Sequence, residues 1–303
     1  MKCFGLPLLT VIFIVGQAMA DDPPGGDLPP EVKAQIKLHT TMLRDSKKSA
    51  ERAKAAEALG ALGASGMTAR RNLCQAMMDS APSVRIAAVD ALKKIDEPTY
   101  KLATAIFINR DVSAILQARA QGVGAEPLTP LILKMASGAL NSITALSPNL
   151  TAPPTDRDNP TAQQMVSADR LYRDCISTLS EICKSDSTAN KLIIGCLTYQ
   201  IQVSRSANAS TRNEWNSSSA GTRQLAIQSI RKMANVKQAL KPLLYIASAD
   251  SSGNRIAAIE VLTEIADTDN KAAIKKTFEA HRFDNDASIR QAIDAALSKL
   301  EGK

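Results

Sequence analysis

Residues 83–96 read SVRIAAVDALKKID, and the pattern returns at residues 254–266 as NRIAAIEVLTEIA. Five copies align on a basic residue that opens a helix: Arg52, Arg85, Arg223, Arg255 and Arg290. Seven residues on stands an aliphatic side chain each time: Leu59, Leu92, Ile230, Leu262 and Leu297. Three further on comes another large apolar residue: Leu62, Ile95, Met233, Ile265 and Leu300. The position before the aliphatic column is small or β-branched: Ala58, Ala91, Ser229, Val261 and Ala296. Spacings of three, four and seven place these residues on one stripe of a helix. A helix so rich in alanine offers little large apolar surface. It gains enough burial only by stacking closely on a neighbour.

The arginines lie 33 (52 to 85), 32 (223 to 255) and 35 (255 to 290) residues apart. A period in this range denotes stacked supersecondary units with room for two helices each. The expected fold is all-α: an α-solenoid of roughly six or seven antiparallel helix pairs. The interval from Arg85 to Arg223 is 138 residues, space for three degenerate repeats and two insertions.

An acidic turn, then Val-Arg or its equivalent, an Ala-rich run and a final Leu-x-x-Ile/Leu make up the motif. It is seen in DSAPSVRIAAVDALKKI (79–95), DSSGNRIAAIEVLTEI (250–265) and DNDASIRQAIDAALSKL (284–300). With this motif the chain resembles the HEAT repeat family, in particular the short HEAT-like repeats of the phycobilin-lyase type. That resemblance implies a fold rather than a reaction. Relatives of that kind include lyases, metal-dependent hydroxylases and pure interaction scaffolds. The metal-dependent hydroxylases carry His-Glu pairs as iron ligands. This chain has no His-Glu dipeptide, so their activity is not carried over.

The arginine column reads as a structural ladder. An Arg a turn after an Asp is placed to pair with acidic groups or carbonyls of the adjoining repeat, and the Asp to cap the helix.

The chain holds 37 Lys/Arg against 30 Asp/Glu, net +7, unevenly spread. Residues 31–110 carry 14 basic and 8 acidic groups, or +6. Residues 111–222 balance at 9 and 9, and residues 223–303 carry 13 against 10, or +3. A basic first third favours acidic partners or an anionic surface.

Residues 1–20, MKCFGLPLLTVIFIVGQAMA, have the make-up of a secretory signal peptide. Lys2 supplies the charge, residues 6–15 an apolar core, and Ala18 and Ala20 the small residues before cleavage. Cleavage after Ala20 and a secreted or periplasmic location are the expectations. Residues 21–30, DDPPGGDLPP, form a Pro/Gly-rich acidic linker. The solenoid occupies 31–303. Two loop insertions are expected in it, near 147–161 (SPNLTAPPTDRDNPT) and 204–221 (SRSANASTRNEWNSSSAG), the second mobile and holding Trp215, the one tryptophan. No apolar run after the signal is long enough to span a membrane.

Chemistry is sparse. Cys74, Cys175, Cys183 and Cys196 show no Cys-x-x-Cys spacing, so no zinc site is expected. Cys183 and Cys196 lie near a turn between two expected helices, 162–184 and 188–203, and could form a disulfide across it; buried free thiols are the alternative. His39 and His281 are isolated, and no serine-hydrolase, zinc-protease, phosphate-loop or nucleic-acid motif appears. No catalytic residue, metal or cofactor is therefore assigned. In an α-solenoid the second helix of each pair commonly lines the concave binding side. Its outward columns nominate Lys93, Lys94, Arg231 and Lys232 as partner contacts.

The sequence supports three readings. The foremost is an exported, non-enzymatic scaffold that binds a protein through its concave face. The second is a module for an anionic polymer or membrane surface, using the basic N-terminal repeats. The third is a HEAT-like lyase or other enzyme.

Overall fold

The computed structural model of the chain describes residues 28–234 and 236–302. The signal peptide and residues 21–27 of the linker lie outside the described residues. Among the described residues the regular structure is helical, with no strand.

The helices alternate as pairs. The first pair is α1 (Pro30–Asp45) with α2 (Ser49–Ala61), the second α3 (Arg70–Ala76) with α4 (Pro82–Ile95), and the third α5 (Glu97–Phe107) with α6 (Val112–Gln121). The fourth is α7 (Thr129–Leu146) with α8 (Pro160–Ile182), and the fifth α9 (Ser187–Gly195) with α10 (Ala209–Ile230). The sixth is α11 (Leu240–Ala249) with α12 (Ser252–Ile265), and the last α13 (Lys271–Ala280) with α14 (Ala287–Glu301). Short 3-10 turns lead into α3, α7 and α11. This tandem packing is the α-solenoid that the spacing implies.

The even-numbered helices form one row. α2 stacks on α4, and α6, α8, α10, α12 and α14 stack in succession. Alanine allows the close approach. In α2 and α4 Ala56 and Ala88 are fully buried, and a Cβ added to Gly60 would lie 2.8 Å from the Ala91 Cα. Prolines start helices rather than break them, with Pro82 in the first turn of α4 and Pro98 in that of α5.

The row is interrupted once. α6 packs on α8 but makes at most slight contact with α4. Instead α3 packs against α7, so the third pair is displaced from between the second and the fourth. The odd row is looser: α3 and α5, α7 and α9, and α9 and α11 each make at most slight contact.

The expected insertions fare differently. Residues 150–159 are indeed irregular, but Leu150 and Ala152 are buried and pin the segment down. The mobile insertion expected at 204–221 is corrected. Residues 209–221 are the first half of α10, a continuous 22-residue helix. Asn208 caps it through the Thr211 N–H at 2.8 Å. Trp215 is 1% exposed and donates its ring N–H to the Ala152 carbonyl at 2.9 Å. The serines that suggest a loop are absorbed by the helix. Ser217 and Ser219 donate to the carbonyls of Asn213 and Trp215, one turn earlier. The irregular stretch falls before α10, at residues 199–208, where the expected helix 188–203 has already ended.

Candidate functional site

The arginine column connects neighbouring units. Arg52 on α2 reaches the turn before α4 and grips Asp79 with two bonds, Nε to Oδ2 and Nη2 to Oδ1, both 2.8 Å. Arg223 on α10 does the same to Asp250 before α12, at 2.5 and 2.8 Å. Arg255 on α12 reaches Asp284 before α14 at 2.6 Å. Each Asp also orders its own turn, since Asp79 accepts from the Ala81 N–H, Asp250 from Ser251 and Asp284 from Asp286. These carboxyls titrate below the usual carboxylate range. For Asp79 and Asp284 the arginine hydrogen bonds are the largest cause. For Asp250 burial pushes the other way, and the Arg223 and Ser251 bonds together overcome it.

Two arginines of the column have no such carboxylate among the described residues. Arg85 on α4 donates through Nη1 only to the carbonyls of Asp79 and Ser80. Arg290 on α14 donates in the same way to Asp284 and Asn285. Arg290 lies on the last described helix, and Arg85 stands where the row is interrupted. The acid that follows Arg85 in the pattern, Asp111, is occupied in capping α6 through the Ser113 N–H. Around the interruption other arginines take over. Arg70 bonds Asp96 at 2.6 Å, and Arg71 ties Glu126 and Asp186 together, linking the second, fourth and fifth units.

The four nominated contact residues are not equivalent. Arg231 is bound to Glu260 at 2.8 Å and Glu264 at 3.3 Å, and Lys232 to Glu181. Lys93 and Lys94 are exposed at the end of α4 and make no ion pair among the described residues; Lys93 lies 5.9 Å from the Tyr100 ring. Ile86 shares their helix and is 63% exposed. Ile86, Asp90 and Lys93, at spacings of four and seven, form one outward stripe.

A disulfide between Cys183 and Cys196 is not formed, and all four described cysteines are buried free thiols. Cys183 precedes α9 and Cys196 follows it. Nine helical residues rise about 13 Å, beyond the reach of a disulfide. Cys183 bonds the Leu179 carbonyl, and Cys196 lies 3.0 Å from the Tyr172 hydroxyl. Burial pushes the thiols up, to about 11 for Cys183 and about 12 for Cys74, Cys175 and Cys196.

The sequence did not point to the junction of the fourth and fifth units, where two features come together. Asp169, 1% exposed, accepts from Tyr199 (2.8 Å), Ser218 (2.9 Å) and Thr222 (3.3 Å), and pairs with Arg173 at 3.1 Å. Beside it a groove of about 900 Å³ opens between α7 and α9. Its residues come from α7, the turn at 147–148, Tyr172 of α8, α9 and the segment 199–205. They are dispersed and follow no motif, so no sequence signal marks them. His39 and His281 are not joined into a site, and no group of three or more His, Cys, Asp or Glu side chains among the described residues could hold a metal ion. Nor is any described helix long and apolar enough to cross a membrane.

Comparison with known proteins agrees with this architecture. The family model for HEAT repeats matches residues 37–122, from α1 to the end of α6. A search of curated proteins finds no match. Among solved structures, the crystal structure of an engineered protein is similar over 90% of this chain and 98% of its own, at 15% identity. Its TM-score of 0.30 is too low to carry any inference. The HEAT-repeat match spans the first three helix pairs, and the pairs that follow are packed in the same tandem manner.

Proposed function

We propose that the chain is an exported scaffold that holds an acidic protein partner against its second-row helices. HEAT repeats are generally protein-interaction scaffolds. The observation that carries the reading is the outward stripe of α4. Where the row is interrupted, α5 packs on α4 but no described second-row helix stacks beyond it. There Ile86 offers an exposed apolar side chain and Lys93 and Lys94 offer unpaired cations that complement an acidic partner. Residues 1–20 support export by their composition alone.

The test is a pull-down from the native envelope or extracellular fraction, using the chain from Asp21, washed at low and at high salt. A protein partner retained at high salt and lost on Ile86→Glu or Lys93→Glu/Lys94→Glu is the expected result. Recovery of only anionic glycan, lipid or nucleic acid that elutes with salt would contradict it and favour a polyanion-binding module.

A further inference from the structure

We infer that the groove between α7 and α9 is a binding site for a monocarboxylate with a long apolar chain. In a regular array consecutive first-row helices touch, burying the apolar sides that face each other. Here α7 and α9 make at most slight contact, and among the described residues a groove stays open between them. Leu140 and Ile143 of α7 face it from one side, and Leu192 of α9 and Val203 from the other. Water in such a space gains nothing from these walls, whereas an alkyl chain loses its own hydration there. Its volume, about 900 Å³, lies within the range of small-molecule sites. That is space for one apolar chain, not for the broad contact a folded partner needs.

The polar groups choose the head. Lys191 and Arg205 are the ionisable cations at the groove, and no Asp or Glu lines it among the described residues. Neither cation has a carboxylate partner within the described chain, whereas Arg173 and Arg223 do. A site with two uncompensated positive charges and no negative one attracts an anion. Tyr172 and Tyr199, with ring centroids 5.5 Å apart, close the inner wall. Tyr199 is fixed from behind by its bond to Asp169, and its carbonyl by Arg223, so the wall is preorganised. A single carboxylate at the Lys191–Arg205 rim, with its chain laid along Leu192, Val203, Ile143 and Leu140, satisfies both sets of groups.

cis-Parinaric acid, an 18-carbon carboxylate that fluoresces in apolar surroundings, tests this when titrated below its micelle concentration into the chain from Asp21. Saturable binding at one molecule per chain is expected, at least about tenfold weaker for its methyl ester and for Lys191→Glu/Arg205→Glu. Both substituted side chains are exposed, and circular dichroism confirms that the variant is folded. Lys93→Glu/Lys94→Glu leaves the binding unchanged, which separates this site from the α4 surface. Absence of saturable binding overturns the inference. So does equal binding of acid and ester with no effect of the charge reversal.

Discussion

Arg223 and Asp250 illustrate what one residue contributes to the array. The guanidinium lies flat against a carboxylate of the next unit, both largely shielded from water, and uses its remaining Nη1 on the Tyr199 carbonyl. Hydrogen bonds between charged groups of this kind are worth about 1.5–3 kcal/mol, and stranding one buried partner costs at least as much. Arg223→Ala is expected to lower the urea unfolding free energy by about 2 kcal/mol or more. Arg85→Ala, which breaks bonds to carbonyls alone, should cost less than half of that. Equal losses at the two positions would show that the rungs contribute nothing beyond helix packing. The same carboxylates set an acid limit. Asp79, Asp250 and Asp284 titrate lower folded than unfolded, so each stabilises fully above its unfolded pKa of about 3.9. That contribution is lost as pH falls through the folded values. Stability measured by denaturant should therefore be level with respect to these groups above about pH 5 and decline as pH falls below about 4. In Asp250→Asn that decline should be shallower, and an unchanged slope would contradict the assignment.

At the scale of the element, glycine separates packing from propensity. Gly60 lies inside α2 against α4, where an added Cβ would meet the Ala91 backbone at 2.8 Å. Gly138 lies inside α7 with nothing within 4 Å of an added Cβ. Alanine favours a helix interior over glycine by about 1 kcal/mol, and overpacking costs about 1–3 kcal/mol. Gly138→Ala is expected to stabilise by up to about 1 kcal/mol and Gly60→Ala to destabilise, both read from urea midpoints. A gain at both would place α2 and α4 further apart than described. α10 makes a separate prediction. Amide exchange should be slow across residues 212–221 and fast at the exposed Gln200, Gln202 and Arg205. The reverse would restore a mobile loop at the tryptophan.

Much of this was legible beforehand. The motif at 83–96 located α4, and its echoes located α2, α10, α12 and α14, because 3.6-residue periodicity survives wherever one stripe is buried. The Arg column could be read for the same reason, since its period is that of the unit. The first half of α10 could not be read. Its serines and asparagines signal turns by composition, and only the cap at Asn208 and the burial of Trp215 under residues 150–159 make them helical. The cysteine pair failed on reach, because Cys196 lies about two turns beyond the connection that follows Cys183 whichever helix end is used. The helix after Cys183 ends at Gly195, so a complete helix separates the two sulfurs. The groove was invisible because it is made by what two helices fail to touch.

Over the whole molecule, the thiols and the stacking order give the remaining expectations. With Cys74, Cys175, Cys183 and Cys196 buried and pushed up to about 11 or 12, none should react with Ellman's reagent at pH 8 in the folded chain. All four should react once it is unfolded in urea without reductant, and two or fewer would mean that a disulfide does form. The array is a chain of nearest-neighbour interfaces, interrupted between α4 and α6 and joined across that break by Arg70 and Arg71. Damage to one rung should therefore spread to adjoining units and fade with distance. Native-state hydrogen exchange of Asp250→Ala against the parent chain is the most direct test of units keyed one to the next. Exchange is expected to quicken in α11 to α14, which lie beyond the lost rung, with α2 and α4 unchanged. A uniform rise over all helices, or no rise at all, would contradict an array held together by Arg–Asp rungs.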